Sequence, residues 1–124
     1  MPLTNAGAVG FANALIANTF PTNSSGQIGV GDSSTVFAAT QTDLQASSNK
    51  LRNDFDSGYP TNTSGTLTFR STFTTGQANF TWNEWGIFDK ISAGRMYSRK
   101  VENLGPKNNT QTWQITATIT VAAA

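Results

Sequence analysis

Seven carboxylates, Asp32, Asp43, Asp54, Asp56, Glu84, Asp89 and Glu102, carry the acid–base chemistry this chain can offer. A glycoside bond is hydrolysed between two such groups, so Glu84 with Asp32, Asp54, Asp56, Asp89 or Glu102 is the pairing a glycosidase needs. Nothing in the spacing fixes the separation of any pair. Gly31-Asp32-Ser33 sets a serine beside an acid, but a serine nucleophile requires a base, normally histidine, and the chain has none. It reads as a polar turn after a strand. Asp54-Phe55-Asp56-Ser57-Gly58 has the opening of a calcium-binding loop and lacks its later acidic ligand. No Gly-Lys-Ser or Gly-Lys-Thr follows a glycine to hold phosphate. Asn23, Asn62, Asn79 and Asn108 begin Asn-x-Ser/Thr sequons, which chance supplies in a chain so rich in those residues.

Histidine and cysteine are both absent. Triads, thiol nucleophiles, thiolate zinc sites and disulfides go with them, so the expectation is a protein with no catalytic residues, no cofactor and no metal site. Charged residues are 12% of the chain and the net charge is +1, which gives no footprint for nucleic acid and no polybasic patch for lipid. Aromatic residues make up 10%, too many for a disordered polar tract. The apolar C-terminal run Ile115 to Ala124 is too short and too rich in threonine to span a bilayer, and no basic region precedes Lys50 to suggest an export signal.

The 124 residues suit one domain, mainly β, an antiparallel β-sandwich or meander with one or two short helices. Leu3, Val9, Ala12, Leu15 and Ile16 recur at helical spacing after a possible cap at Thr4, giving a helix over about 4–17. Gly7 and Gly10 weaken that helix and let it lie close to a neighbour. The stretch 1–26 is therefore either an arm or a packing helix, with a turn-rich loop at 19–26. Thr40 and Asp43 stand as a capping box and predict a second short helix over about 40–46.

Strands are expected at 27–31, at 50–58 as an exposed edge, from Leu67 to Phe73, from Phe80 to Phe88, from Met96 to Glu102, and from Trp113 to Val121. The linker 74–79 predicts a hairpin between the third and fourth of these, and the last four strands a meander. In the final strand Trp113, Ile115, Ala117, Ile119 and Val121 share one face, while Thr112, Gln114, Thr116, Thr118 and Thr120 share the other.

Glu84 is the single charge inside the aromatic strand Phe80 to Phe88, and burial there demands compensation. Arg95, Arg99 and Lys100 follow on the next strand, so a structural ion pair or backbone hydrogen bonds are expected. Alternation places Phe80, Trp82 and Phe88 on one face and Trp85 and Ile87 on the other. Both faces are apolar, so the chain or a partner must cover the second. The structural candidates are Trp82, Glu84, Trp85, Gly86, Phe88, Arg95 and Arg99.

Three stretches, Ile28-Gly29-Val30-Gly31-Asp32-Ser33-Ser34, Ala39-Thr40-Gln41-Thr42-Asp43-Leu44 and Trp82-Asn83-Glu84-Trp85-Gly86-Ile87-Phe88-Asp89, together resemble small bacteriophage virion proteins, including tail-collar fibre N-terminal domains. The shared features are a Gly-x-Gly turn, a Thr-x-Leu step and a Glu-x-Gly-Ile-Phe strand in that order, over about residues 27–102. The resemblance implies a non-enzymatic virion component that oligomerises. Collar-fibre domains lead into a shaft, whereas this sequence stops after its last strand. That favours a capsid decoration (cement) protein on the outer surface of the capsid, binding the major capsid protein or other virion subunits, with trimers at symmetry points. A tail-collar or fibre adaptor is the alternative. A carbohydrate-binding module is a third, with Tyr59, Trp82, Trp85, Tyr97 and Trp113 as stacking platforms.

Overall fold

The computed structural model describes residues 2–17 and 25–121. Helix α1 (Asn5–Ala17) is followed by β1 (Gln27–Gly31), β2 (Lys50–Asp54), β3 (Thr61–Thr63), β4 (Thr66–Phe73), β5 (Thr81–Phe88), β6 (Met96–Pro106) and β7 (Trp113–Thr120). They form two antiparallel sheets, β2-β1-β5-β6 and β3-β4-β7. The stretch 19–26 lies largely outside the described residues, as do the side chains of Leu15 and Ile16 and the last three residues of the C-terminal run.

The mainly β class and the antiparallel sheets are as the alternation implies. The connections are not, because β4 and β5 form no hairpin and belong to different sheets, as do β6 and β7. Each of β4 and β5 has an apolar face, and stacking them in two layers buries both at once, whereas a hairpin would set them side by side. Phe73 at the end of β4 meets Trp82 early in β5 edge-on, with ring centroids 5.0 Å apart, and Trp82 meets Trp113 of β7 at 5.0 Å. The linker 74–79 therefore crosses between layers. Its turn is tied down by Lys107, whose ammonium donates to the Thr74 carbonyl and to Asn79 Oδ1, both at 2.8 Å.

Between the layers lies one core drawn from both sheets, with Ile28, Val30, Phe69, Phe73, Trp82, Trp85, Ile87, Ile115 and Ala117 among its buried members. Trp82 is on this side with Trp85 and Ile87, and of the apolar side chains of β5 only Phe88 faces the other way, against Leu44 and Met96. The expected division of β5 fails at Trp82 because the register with β6 shifts between Trp82 and Glu84, which breaks strict alternation.

The helix at the N-terminus forms for the reason its sequence suggests. Thr4 is its cap, with Oγ1 accepting the N–H of Gly7 at 2.8 Å while its hydroxyl donates to the Met96 carbonyl. Gly7 and Gly10 lie against Tyr97, where a Cβ would strike the Tyr97 backbone and ring respectively. Phe11 closes on the Tyr97 ring edge-on at 5.4 Å. The described part of the N-terminal stretch is thus a packing helix on β6. Thr4→Ala should cost about 1–2 kcal/mol, since it removes a cap and strands a buried carbonyl. A urea midpoint unchanged from the wild type would show that the helix is held by its apolar face alone.

The second predicted helix does not form. Residues 40–46 run as turns and bends. Asp43 caps nothing at Thr40; its carboxylate takes Lys50 and Arg52, each at 3.0 Å, and the N–H of Leu44. The N–H groups of Gln45 and Ala46, which a helix would use internally, are directed to Glu84.

Candidate functional site

The outer face of the four-stranded sheet holds a buried polar centre, built from β5, β6 and the connection 32–49. Glu84 and Arg99 are both fully buried, and Arg99 Nε donates to Glu84 Oε1 at 2.8 Å. That oxygen also accepts the Gln45 N–H at 2.7 Å, while Oε2 accepts the N–H of Ala46 at 2.8 Å and of Ser33 at 3.3 Å. Arg99 extends its other nitrogens to Gln41 Oε1 at 3.1 Å and the Thr35 carbonyl at 3.0 Å. Both charges are thereby desolvated and hydrogen-bonded, the condition under which a buried pair is tolerated.

What the pair holds is the connection 32–49, which has no regular structure of its own and lies along the sheet through these bonds. Asn83 adds a bond from its side-chain amide to the Asp32 carbonyl at 3.0 Å. The chain's own residues therefore cover the second apolar face, with Leu44 against Phe88 and Met96. Room for this cover comes from glycine. Gly29 stands opposite Gly86 and Gly31 opposite Glu84 in the β1–β5 register. A Cβ on Gly31 would lie 2.5 Å from Glu84 Oε2, and one on Gly86 2.6 Å from the Ser98 carbonyl oxygen.

Gly31→Ala should destabilise by about 1–3 kcal/mol, because Glu84 is fixed by its donors and has no room to withdraw. Gly76→Ala, where a Cβ would meet nothing within 4 Å, is the control. Equal urea midpoints for the two variants would mean that Glu84 can shift.

A second clip lies at the sheet edge. Arg52 of β2 stacks on Phe88, 3.7 Å from the ring centroid, and donates to the carbonyls of Lys90 and Ala93 at 2.8 Å and to Asp43 at 3.0 Å. Burial raises the Asp43 carboxyl pKa, but hydrogen bonds from Arg52 and Lys50 outweigh it and leave the group below its ordinary value. The sequence marks 50–58 as an exposed charged edge; β2 is an edge strand but stops at Asp54 and is mostly half-buried, with Arg52 reaching inward. A cation one strand from an aromatic run is the signal that could have found it.

The remaining predicted residues fall as follows. Arg95 does not reach the Glu84 centre: it precedes β6, and its N–H donates to Asp89 Oδ1 at 2.7 Å. Lys100 points to Glu102 at 3.4 Å, and Glu102 also accepts the Trp85 indole N–H at 3.2 Å. Asp32 accepts from Asn49 at 2.8 Å, Asp54 from Gln27, and Asp56 from Arg70 at 2.7 Å and Thr72 at 2.8 Å. Asp54 and Asp56 thus turn to different partners, and among the described residues no three His, Cys, Asp or Glu side chains cluster as metal ligands. Trp82, Trp85 and Tyr97 are buried, with burial raising the Tyr97 hydroxyl pKa against the opposing effect of Arg95, which leaves Tyr59 and Trp113 as half-buried rings. Among the described residues no helix is long and apolar enough to cross a membrane.

Gly29, Gly31, the 39–46 stretch and Glu84 to Phe88 thus meet in one place, the polar centre and its cover. Compared with family models, curated proteins and solved structures, the chain finds no match.

Proposed function

We propose that this chain is a non-enzymatic structural protein of a bacteriophage virion, a capsid decoration (cement) subunit that binds the outer surface of the shell and stabilises it. One observation supports the reading above the rest. The stretches that carry the resemblance to small virion proteins, far apart in sequence, form a single built unit in which Gly31 faces Glu84, Gly29 faces Gly86, the Ser33 N–H donates to the Glu84 carboxylate and Leu44 clusters with Phe88. A chance likeness of separate motifs has no reason to converge on one centre. The chemistry of that centre is cohesive: the Glu84 carboxylate has no solvent exposure and its oxygens are taken by four N–H donors of the chain itself, which leaves a substrate no access to it.

The exposed surface suits repeated neutral contacts. Gln114, Thr116, Thr118 and Thr120 of β7 are all exposed, and a low-charge polar surface is suited to weak contacts multiplied by symmetry. The test is to mix the protein with expanded, undecorated capsids. Stoichiometric binding and a higher temperature of capsid disruption are expected, and failure to bind any capsid sinks the proposal. Binding confined to the tail vertex would instead make the chain a collar or fibre adaptor.

A further inference from the structure

We infer that the free edge of β7 is a two-fold contact, at which two copies of this chain pair antiparallel and join their three-stranded sheets into one of six strands. Among the described residues the two sheets have four edge strands, and three of them are blunted. β2 carries Lys50, Arg52 and Asp54; β3 has three residues; β6 carries Lys100 and Glu102, ends in Pro106, and has α1 packed on its first half. β7 has eight residues with no charge, no proline and no glycine.

Its outward hydrogen-bonding groups can be assigned. The Val121 N–H donates to the Gly65 carbonyl at 2.8 Å, so in the antiparallel ladder the odd-numbered residues of β7 bond to β4. The N–H and C=O groups of Gln114, Thr116, Thr118 and Thr120 consequently point away from it. Among the described residues none of them has a backbone partner.

The occupant is specified by the sequence of the strand. Ile115-Thr116-Ala117-Thr118-Ile119 reads the same in both directions about Ala117. In an antiparallel pair centred there, Ala117 faces its own copy, Thr116 faces Thr118, Ile115 faces Ile119, and Trp113 faces Val121. Each pairing matches like with like, threonine on one face and apolar side chains on the other. It also covers Val121, which is 65% exposed, and the half-buried Trp113 and Ile119. A foreign strand would have no such symmetry to satisfy. The contact closes a pair, where the sequence suggested trimers, and it stands or falls independently of the capsid proposal.

Sedimentation of the whole chain across micromolar to millimolar concentration should show a reversible monomer–dimer equilibrium. Lysine at both Thr116 and Thr118 (T116K with T118K) places like charges opposite each other and should weaken association about tenfold, as should glutamate at both positions. Mixing the two variants in equal amounts should restore dimers, which misfolded variants would not do. On the unaltered chain, amide exchange at Thr116, Thr118 and Thr120 should slow as concentration rises. A monomer throughout, dimers indifferent to the substitutions, no rescue on mixing, or fast exchange at every concentration would each overturn the inference.

Discussion

Arg99→Met is expected to destabilise the protein by about 3–5 kcal/mol, the range for removing one partner of a buried ion pair. Glu84 would be left unexposed, keeping the N–H groups of Gln45, Ala46 and Ser33 and losing its cation. A domain of this size has roughly 5–15 kcal/mol of stability in all, so the loss should show as a large drop in the urea midpoint. The same substitution frees the Thr35 carbonyl and Gln41 from their donor, so amide exchange at Gln45 and Ala46 should rise more than in the sheet strands. Glu84→Gln combined with Arg99→Met removes both charges together and should recover part of the loss. A drop under about 1 kcal/mol for Arg99→Met alone would show that the connection is held by its backbone bonds and apolar cover.

Trp82→Ala should cost a comparable 3–5 kcal/mol by opening a cavity at the meeting of the layers. Trp82 is 1% exposed, touches Phe73 of β4 and Trp113 of β7, both in the facing sheet, and donates its indole N–H to the Ala78 carbonyl at 3.0 Å. The last contact pins the crossing linker. Trp82→Phe keeps an aromatic ring and loses only volume and that bond, so it should lose less than half as much. Near-ultraviolet circular dichroism and urea unfolding together read the effect. If Trp82→Ala were as mild as Trp82→Phe, the two layers would not depend on this side chain.

Local patterns in the sequence were legible where one force acts alone. The alternation of Trp113 to Ile119 survives, since β7 has one face on the core and one in water, and only Val121, beyond the end of β7, departs from it by being exposed. Thr4 caps the helix, and the need of Glu84 for compensation was plain from its aromatic neighbours. Arg99 answers that need together with backbone N–H groups, so both of the expected forms of compensation occur.

Failures arose where a distant partner outbid a local one. The Thr40 and Asp43 pair is a sound capping box on paper, yet Asp43 takes the cations of β2 and the following amides take Glu84. A linker of hairpin length between two amphipathic strands looks the same whether it turns within a sheet or crosses to another. Trp82 changes face because of a register shift with β6, which alternation along β5 alone does not reveal. Gly29 and Gly31 lie in the strand expected at 27–31, not in the turn that the resemblance implies, and there they give clearance for side chains carried by β5.

The Glu84–Arg99 centre also sets an order on how the molecule comes together. β1 has no partner nearby in the chain except β2, and its other neighbour is β5, whose register with it runs from Gln27–Phe88 to Gly31–Glu84. The connection 32–49 is tied to β2 through Asp43, but its hold on the sheet face needs Glu84 and Arg99, which belong to β5 and β6. The β1 segment therefore waits, with Ile28 and Val30 uncovered, until β5, more than fifty residues later in sequence, is available to pair with it. The pairing of β1 and the docking of 32–49 both depend on the β5–β6 hairpin, which lies later in the sequence than either.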